Sequence, residues 1–311
     1  MILVTWNIRG FNDPHKVSVV KKLLKSHNVN IIGILETQVK EHKVLGIQRK
    51  FGSAWLWQCN YSFSHKGRIW LGWNADVLSV DIVQVQEQFI HCLVHSKDLK
   101  HSLACTVVYG LNTVEERKVL WRSLQGINIQ AIPWLIAGDF HAILSCEDRI
   151  NGEPVAHFET RDFSDFLVDV GLTEIKSKGP FFSWSNKGSG TSRIASRIDR
   201  GIVNQINAGC RNILMWSTFF SPPGISDHSP LLFECFDASL GGGRPFLFLN
   251  VIADHAQFQD ILTSCWNKPV GGCKMFQVWS KLKEVKAGVK QLHTTHYAGA
   301  KSWVDRHRSE E

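Results

Sequence analysis

Apolar residues recur along the chain in short, β-branched runs rather than in long helical stripes. ILVTW (2–6), NIIGIL (30–35), IWLGW (69–73), VDIVQV (80–85), LACTVVY (103–109), WLIAG (134–138), FFSW (181–184), RIDRGIV (197–203) and LLFECF (231–236) are runs of this kind. Their length and their polar or glycine-bearing flanks predict strands. So many strands with few helices point to packed sheets, not to a single doubly wound sheet. Two helices are marked by their ends. Asp13 caps the first and Pro14 enters its first turn, with Val17, Val20, Leu23 and Leu24 on one face and Lys16, Lys21, Lys22 and Lys25 on the other. The second is expected to begin near Thr160, to bury Phe163, Phe166, Leu167 and Val170, and to stop at Gly171.

The pattern changes after residue 236. DASLGGGRPF (237–246) carries three consecutive glycines and then Pro245, which neither a strand nor a helix accommodates. Beyond it, MFQVWSKLKEVKAGVKQLH repeats apolar positions at three- and four-residue spacing. The expected organisation is a main domain over 1–236, a glycine-rich linker over 237–253 and a helical extension over 254–311.

Composition adds a partner class. The 311 residues are 44% hydrophobic and 20% charged, ordinary globular material, and the net charge of +7 favours a polyanion such as nucleic acid. That charge is spread along the chain. From Asp237 onward there are 10 Lys+Arg and 7 Asp+Glu, a balance of +3, which leaves +4 for the rest. The eight cysteines form no C-x-x-C pair and several lie in apolar runs, so they read as small buried hydrophobes of a reducing compartment rather than zinc ligands or a disulfide frame. Met1 leads directly into an apolar strand without a basic leader, and no run nears the roughly 18 apolar residues of a membrane span. The expectation is an intracellular protein with no membrane partner.

Candidate chemistry lies where the strands end. Asn7 follows ILVTW, Glu36 follows NIIGIL, Asn112 follows VVYGL, Asp139 follows WLIAG, Asp199 lies in SRIDRGIV, and Asp227 with His228 precedes SPLLFECF. If the sheets deliver these side chains to one rim, four carboxylates and a histidine share a pocket. Carboxylates crowded at low dielectric repel each other, so a cation belongs among them. Oxygen donors without a thiolate specify a hard ion, Mg²⁺ or Mn²⁺. Such a site suits phosphate-ester hydrolysis, with His228 as a donor to a phosphoryl oxygen and Asp199 fixing the tautomer of its imidazole.

Six motifs, WNIRG (6–10), LET (35–37), YGLN (109–112), GDF (138–140), SRID (196–199) and SDHSPL (226–231), occur in the order of the endonuclease/exonuclease/phosphatase superfamily. The chain resembles its apurinic-endonuclease-like branch as found in non-LTR (LINE-type) retroelements, and GPFFSWSNKG, SRIDRGIVN and GISDHSPL resemble plant LINE-type sequences. The resemblance spans about residues 1–236 and implies an α/β fold, a four-layered sandwich of two mainly antiparallel sheets face to face with helices outside. It also implies metal-dependent phosphodiester hydrolysis of DNA that leaves a 3′-hydroxyl and a 5′-phosphate. Carried over motif by motif, Glu36 would be the principal metal ligand, helped by Asn7 and Asp227, and Asp139 would orient or deprotonate the water. His228, oriented by Asp199, would bind the scissile phosphate. Tyr109 and Asn112 would contact the phosphate, and Ser226 would support its loop. DNA is then the partner and a divalent metal the one cofactor, with a monomer acting in the nucleus. A phosphatase of small phosphate esters, or a copy that has lost turnover and only binds nucleic acid, would use the same framework.

The chain departs from the pattern in three places. It contains no Y-x-D-D motif and so no reverse transcriptase. Arg9 stands where repair enzymes of the branch carry an acid. His141 stands in the asparagine place of G-D-[FL]-N, where an amide would hold water and phosphate; a neutral imidazole offers one donor and one acceptor on opposite sides. The expectation is therefore a weakened site in which Asp139 and His141 form neither a dyad nor a metal pair. The loop NKGSGTSRIA (186–195) lies where a groove-probing hairpin occurs in LINE-type enzymes, although a flexible connecting turn is the simpler reading. Trp55, Trp57, Trp70, Trp73 and Trp184 are expected to fill the core.

Overall fold

The computed structural model describes residues 1–98, 102–127, 129, 132–204, 214–220, 224–237, 255, 257–272 and 274–296. They belong to two compact units, Met1–Leu240 and Gly241–Glu311. In chain order the first unit contains β1 (Ile2–Asn7), α1 (Pro14–Ser26), β2 (Ile31–Leu35), α2 (Val44–Gln48), β3 (Trp55–Cys59), β4 (Ile69–Asn74), β5 (Leu78–Val85), β6 (Phe89–Ser96), β7 (Ser102–Tyr109), α3 (Val114–Gln125) and β8 (Trp134–Asp139). It continues with β9 (Arg149–Ile150), α4 (His157–Val170), β10 (Leu172–Glu174), β11 (Ser177–Lys178), β12 (Trp184–Ser185), β13 (Ala195–Ser196), β14 (Asp199–Asn204), β15 (Leu214–Phe220) and β16 (Leu231–Asp237). The second unit contains α5 (Phe258–Trp266) and α6 (Lys274–His296).

Seven strands form one sheet in the order β11-β15-β16-β1-β2-β4-β3, and six form the other in the order β10-β14-β8-β7-β6-β5. Both are mixed: β1–β2, β7–β8 and β11–β15 run parallel and the remaining pairs antiparallel. The sheets meet across a core that includes Leu3, Ile31, Leu71 and Phe233 from one and Val94, Leu103, Cys105 and Leu135 from the other. On the outer face of the first, Val17, Val20 and Leu24 of α1 pack on Val4, Ile32 and Trp70. On the outer face of the second, Trp121 of α3 and Phe163 and Phe166 of α4 pack on Ala104, Trp134 and Ile136. The result is the expected four-layered α/β sandwich.

This layering explains the apolar runs of the sequence. A strand covered on both faces is apolar at nearly every position, as β1, β2 and β8 are, whereas the edge strand β5 alternates more and less buried residues. Asp13 caps α1 through a hydrogen bond from the His15 amide at 2.8 Å. The start expected at Thr160 is corrected: α4 begins at His157, because the Glu159 carboxylate accepts from the Ala156 amide and so supplies the N-terminal cap. Its end is Gly171, at φ 68°. The run FFSW yields only the two-residue β12.

Trp70 and Trp73 are buried, and Trp55 and Trp57 pack beside the first sheet with Phe51. Cys92, Cys105, Cys235 and Cys265 are buried, but Cys59 is half-buried and Cys146 exposed, which corrects the reading of all eight as core. Cys210 and Cys273 lie outside the described residues, as do 238–253 of the expected linker and the end of the extension. In the second unit, Val289 and Leu292 of α6 bury themselves with Phe258 and Ile261 of α5. Among the described residues no helix is long and apolar enough to cross a membrane.

Candidate active site

Strand register brings distant residues side by side. Tyr109 at the end of β7 pairs with Asp139 at the end of β8, which pairs with Asp199 at the start of β14. In the other sheet Asn7 ends β1 opposite Leu35, so Glu36 emerges one residue beyond. The Asn7 amide joins the two sheets by donating from Nδ2 to Asp139 Oδ2 at 2.9 Å. Before β16, Asp227 and His228 close the ring. The cleft they border has a volume of about 380 Å³ and is lined by Arg9, Glu36, Tyr109, Asn112, His141, Arg149, Trp184, Ile194, Ser196, Ile198 and His228. A smaller neighbour of about 250 Å³ shares Glu36, Tyr109 and Asn112 and adds Lys66 and Arg68.

Close approach at the strand ends demands special backbone. A Cβ on Gly138, whose φ is +143°, would lie 2.1 Å from the Val108 carbonyl oxygen. Arg9, Glu36, Gln38 and His141 hold φ between 46° and 52°, the left-handed region that non-glycine residues enter reluctantly. Strained positions of this kind collect where surrounding structure overrides local preference.

Two electrostatic units share the cleft. In the first, His228 Nδ1 donates to Asp199 Oδ2 at 2.9 Å and lies 3.8 Å from Asp139 Oδ2. Burial works against charge on the His228 ring, but Asp199 and Asp139 outweigh it and push the imidazole up to about 9. Burial and the neighbouring Asp139 raise the Asp199 carboxyl, partly offset by His228. Burial would raise Asp139 as well. The positive charges of His141 and His228, with hydrogen bonds from His141 and Asn7, instead hold it well below the usual carboxylate range.

His141 touches Asp139 in the folded chain. Its Nε2 lies 3.1 Å from Asp139 Oδ2 and its Nδ1 2.6 Å from the Gly110 carbonyl oxygen. Both partners are acceptors, so the contacts favour a hydrogen on each ring nitrogen and thus an imidazolium. Burial opposes this charge, and Asp139 and the Gly110 carbonyl raise the imidazole despite it. The ring also meets Tyr109 edge-on at 5.2 Å. Burial, with Glu36 and Asp139 nearby, raises the Tyr109 phenol, which stays a donor.

The second unit is Glu36, Asp227 and Arg9. Arg9 Nη1 donates to Asp227 Oδ2 at 2.7 Å, and its Nε stands 3.9 Å from Glu36 Oε1. Trp184 Nε1 donates to the same Asp227 oxygen at 3.1 Å. Burial raises Asp227, but the bonds from Trp184 and Arg9 leave it below its ordinary value.

Solved structures with this arrangement of sheets include the endonuclease domain of TRAS1, a telomere-specific non-LTR retrotransposon, at TM-score 0.55 and 10% identity over 75% of this chain and 96% of that one. The 3′ phosphatase NExo from Neisseria, bound to product DNA hairpin, aligns at 0.54 and 16% over 76% and 99%. An endonuclease/exonuclease/phosphatase family protein from Bacteroides thetaiotaomicron aligns at 0.50 and 14% over 76% and 95%. The chain has the endonuclease/exonuclease/phosphatase fold. No family model matches its sequence, and no curated protein matches it.

Within this endonuclease/exonuclease/phosphatase fold, Glu36, Tyr109 and His228 line the cleft, Asn7, Asp139 and Asp199 lie buried behind it, and Asp227 is tied to its wall through Arg9 and Trp184. Asn112 stands exposed at its rim, held by Arg117, which donates to the carbonyls of Leu111 and Asn112. Ser226 is turned away. Its buried hydroxyl donates to the Asn7 carbonyl at 2.6 Å and accepts from the His228 amide, bracing the loop without reaching the cleft surface. Ser183, unmarked in the sequence, accepts the Asp199 amide at 2.9 Å and so sets the carboxylate behind His228. Trp184, expected in the core, lines the cleft instead.

The oxygen-rich donor set fits a hard cation. Asp139, Asp199 and His228 place ligand atoms within 4.8 Å of one another, so they could hold a metal, but doing so would take His228 from Asp199. Glu36 and Asp227 demand positive charge and receive it from a guanidinium whose side chain is 60% exposed.

Proposed function

We propose that the chain is a divalent-metal-dependent DNA endonuclease of retroelement origin that nicks a phosphodiester to leave a 3′-hydroxyl and a 5′-phosphate. The observation that carries this reading is a cleft lined by Glu36, His228 and basic residues and backed by the linked polar groups Asp199 behind His228, Asn7 on Asp139, and Asp227 on Arg9. The six ordered motifs and the basic net charge support DNA as the substrate.

Glu36, with Asn7 and Asp227, would hold Mg²⁺ or Mn²⁺, which when bound neutralises phosphate charge and stabilises the leaving oxygen. The water oxygen would form the new bond to phosphorus as the bond to the 3′-oxygen breaks; the proton the water loses would pass to solvent, and the 3′-oxygen would take a proton from solvent. Asp139, firmly ionised, accepts a hydrogen bond from the water and orients it; the same low proton affinity makes it a poor terminal proton acceptor. His228 commits Nδ1 to Asp199 and offers Nε2 to a phosphoryl oxygen, where charge builds in the transition state. The Tyr109 phenol and the Asn112 amide supply further donors.

A slower enzyme is favoured by one specific contact. The imidazolium of His141 sits on Asp139 Oδ2, an oxygen that would otherwise receive the water. Incubation with supercoiled plasmid and Mg²⁺ tests the function: wild type should convert it to open circles, and Glu36→Ala should lower the rate by at least about 10²-fold. Nicking that survives Glu36→Ala undiminished would refute the assignment.

A further inference from the structure

Arg9 has a firmly held backbone and a solvent-exposed head that rests on two acids. Its amide donates to Asn7 Oδ1 at 3.1 Å, its carbonyl accepts from Lys16 Nζ at 3.0 Å, and the next amide, of Gly10, donates to the Glu36 carbonyl at 2.8 Å. These bonds hold the main chain in its left-handed turn, φ 50°. Among the described residues the guanidinium's ion-pair partners are Asp227 at 2.7 Å and Glu36 at 3.9 Å. Both acids are mostly sheltered, with side chains 14% and 20% exposed.

A divalent ion between these acids and a guanidinium bridging them cannot coexist, because like charges a few ångströms apart repel and the same oxygens would serve both. Swinging a largely exposed arginine into water costs little, so exchange is feasible without disturbing the fold. We propose that Arg9 is the resident counter-ion of the metal carboxylates, that a divalent cation binds by displacing it, and that this residue therefore holds the site's metal affinity down. The proposal rests on the metal-site reading above and goes beyond it by making the site a competition between two cations.

Calorimetric titration of the full chain with Mn²⁺, without DNA, tests it. Arg9→Asn removes the charge and suits a positive φ, and Arg9→Met keeps the length; both should bind Mn²⁺ about tenfold more tightly than wild type. Arg9→Lys, which keeps a charge without the fork, should fall between. In the absence of metal Arg9→Asn should unfold at a lower temperature than wild type, and added Mn²⁺ should raise its midpoint by more, since the variant begins with uncompensated acids. Wild type that binds Mn²⁺ while both uncharged variants bind it equally or more weakly would overturn the competition and leave the metal site standing. No binding by any of the folded proteins, with Glu36→Ala indistinguishable from them, would overturn the metal reading and this inference with it.

Discussion

His141 and Asp139 meet because a histidine two residues beyond a strand-end carboxylate is folded back by its own left-handed turn, its amide donating to Asp139 Oδ1 at 2.9 Å. The contact neutralises the carboxylate that should hold water. His141→Asn would remove the ring from Oδ2, leaving that oxygen with Asn7, and suit the positive φ, so plasmid nicking should accelerate by about tenfold or more. Equal rates would show that the imidazolium does not burden the site. The His228–Asp199 pair gives a separate test. The folded pKa of His228, about 9, lies above its ordinary 6.5. The charged ring therefore stabilises the fold fully below about pH 6.5, and this contribution is lost as pH rises through 9. Asp199→Asn should lower the imidazole titration seen by NMR, and its stability deficit in urea should narrow between pH 6 and pH 10. A deficit unchanged across that range would contradict the linkage. WNIRG and GDFH mark Arg9 and His141 as unusual but do not say what they touch, because each contact joins segments that meet only through strand register.

At the level of elements, α3 connects stability to the cleft. Thr113 Oγ1 accepts the Glu116 amide at 3.3 Å, and the Glu116 carboxylate returns to the Thr113 amide at 3.3 Å. This reciprocal cap fixes the helix end immediately after Asn112. Thr113→Ala should cost about 1 kcal/mol in urea unfolding, and a loss within error would show that Arg117 alone secures the turn. The T-x-x-E signal is present in the sequence, yet VEERKVLWRSLQ is charged enough to pass for a loop; packing of Leu120, Trp121 and Leu124 on the second sheet makes it a helix. Strands β1, β2, β4, β7 and β8 are legible because burial on both faces leaves a nearly unbroken apolar run. Strand β6 is not, since His91 and His95 interrupt it; His91 is accepted inside because its Nδ1 pairs with Thr106 Oγ1 at 2.7 Å. The two-residue strands β9, β12 and β13 form a small sheet of their own, and β12 also bridges to His228 through Trp184.

For the whole molecule, the apolar pattern by itself determined packed sheets and the chemical kinds of their residues, while the four layers were implied by the resemblance that the six motifs carry. Apolar runs must be buried, charge must be compensated, and glycine must stand where strand ends crowd, so these properties are carried locally by composition and pattern. Which polar residues meet was decided by tertiary structure alone. Asn7 reaches Asp139 across 132 residues, and Arg9 reaches Asp227 across 218. The register of β7, β8 and β14 and the left-handed turns at Arg9, Glu36 and His141 set those pairings, and a one-residue slip in any strand would turn its contribution to the opposite face. Trp184 shows the division in one residue: its aromatic character suits a core, and only the folded chain turns its indole to Asp227. Local chemistry fixes what a residue can do, and long-range geometry fixes with whom.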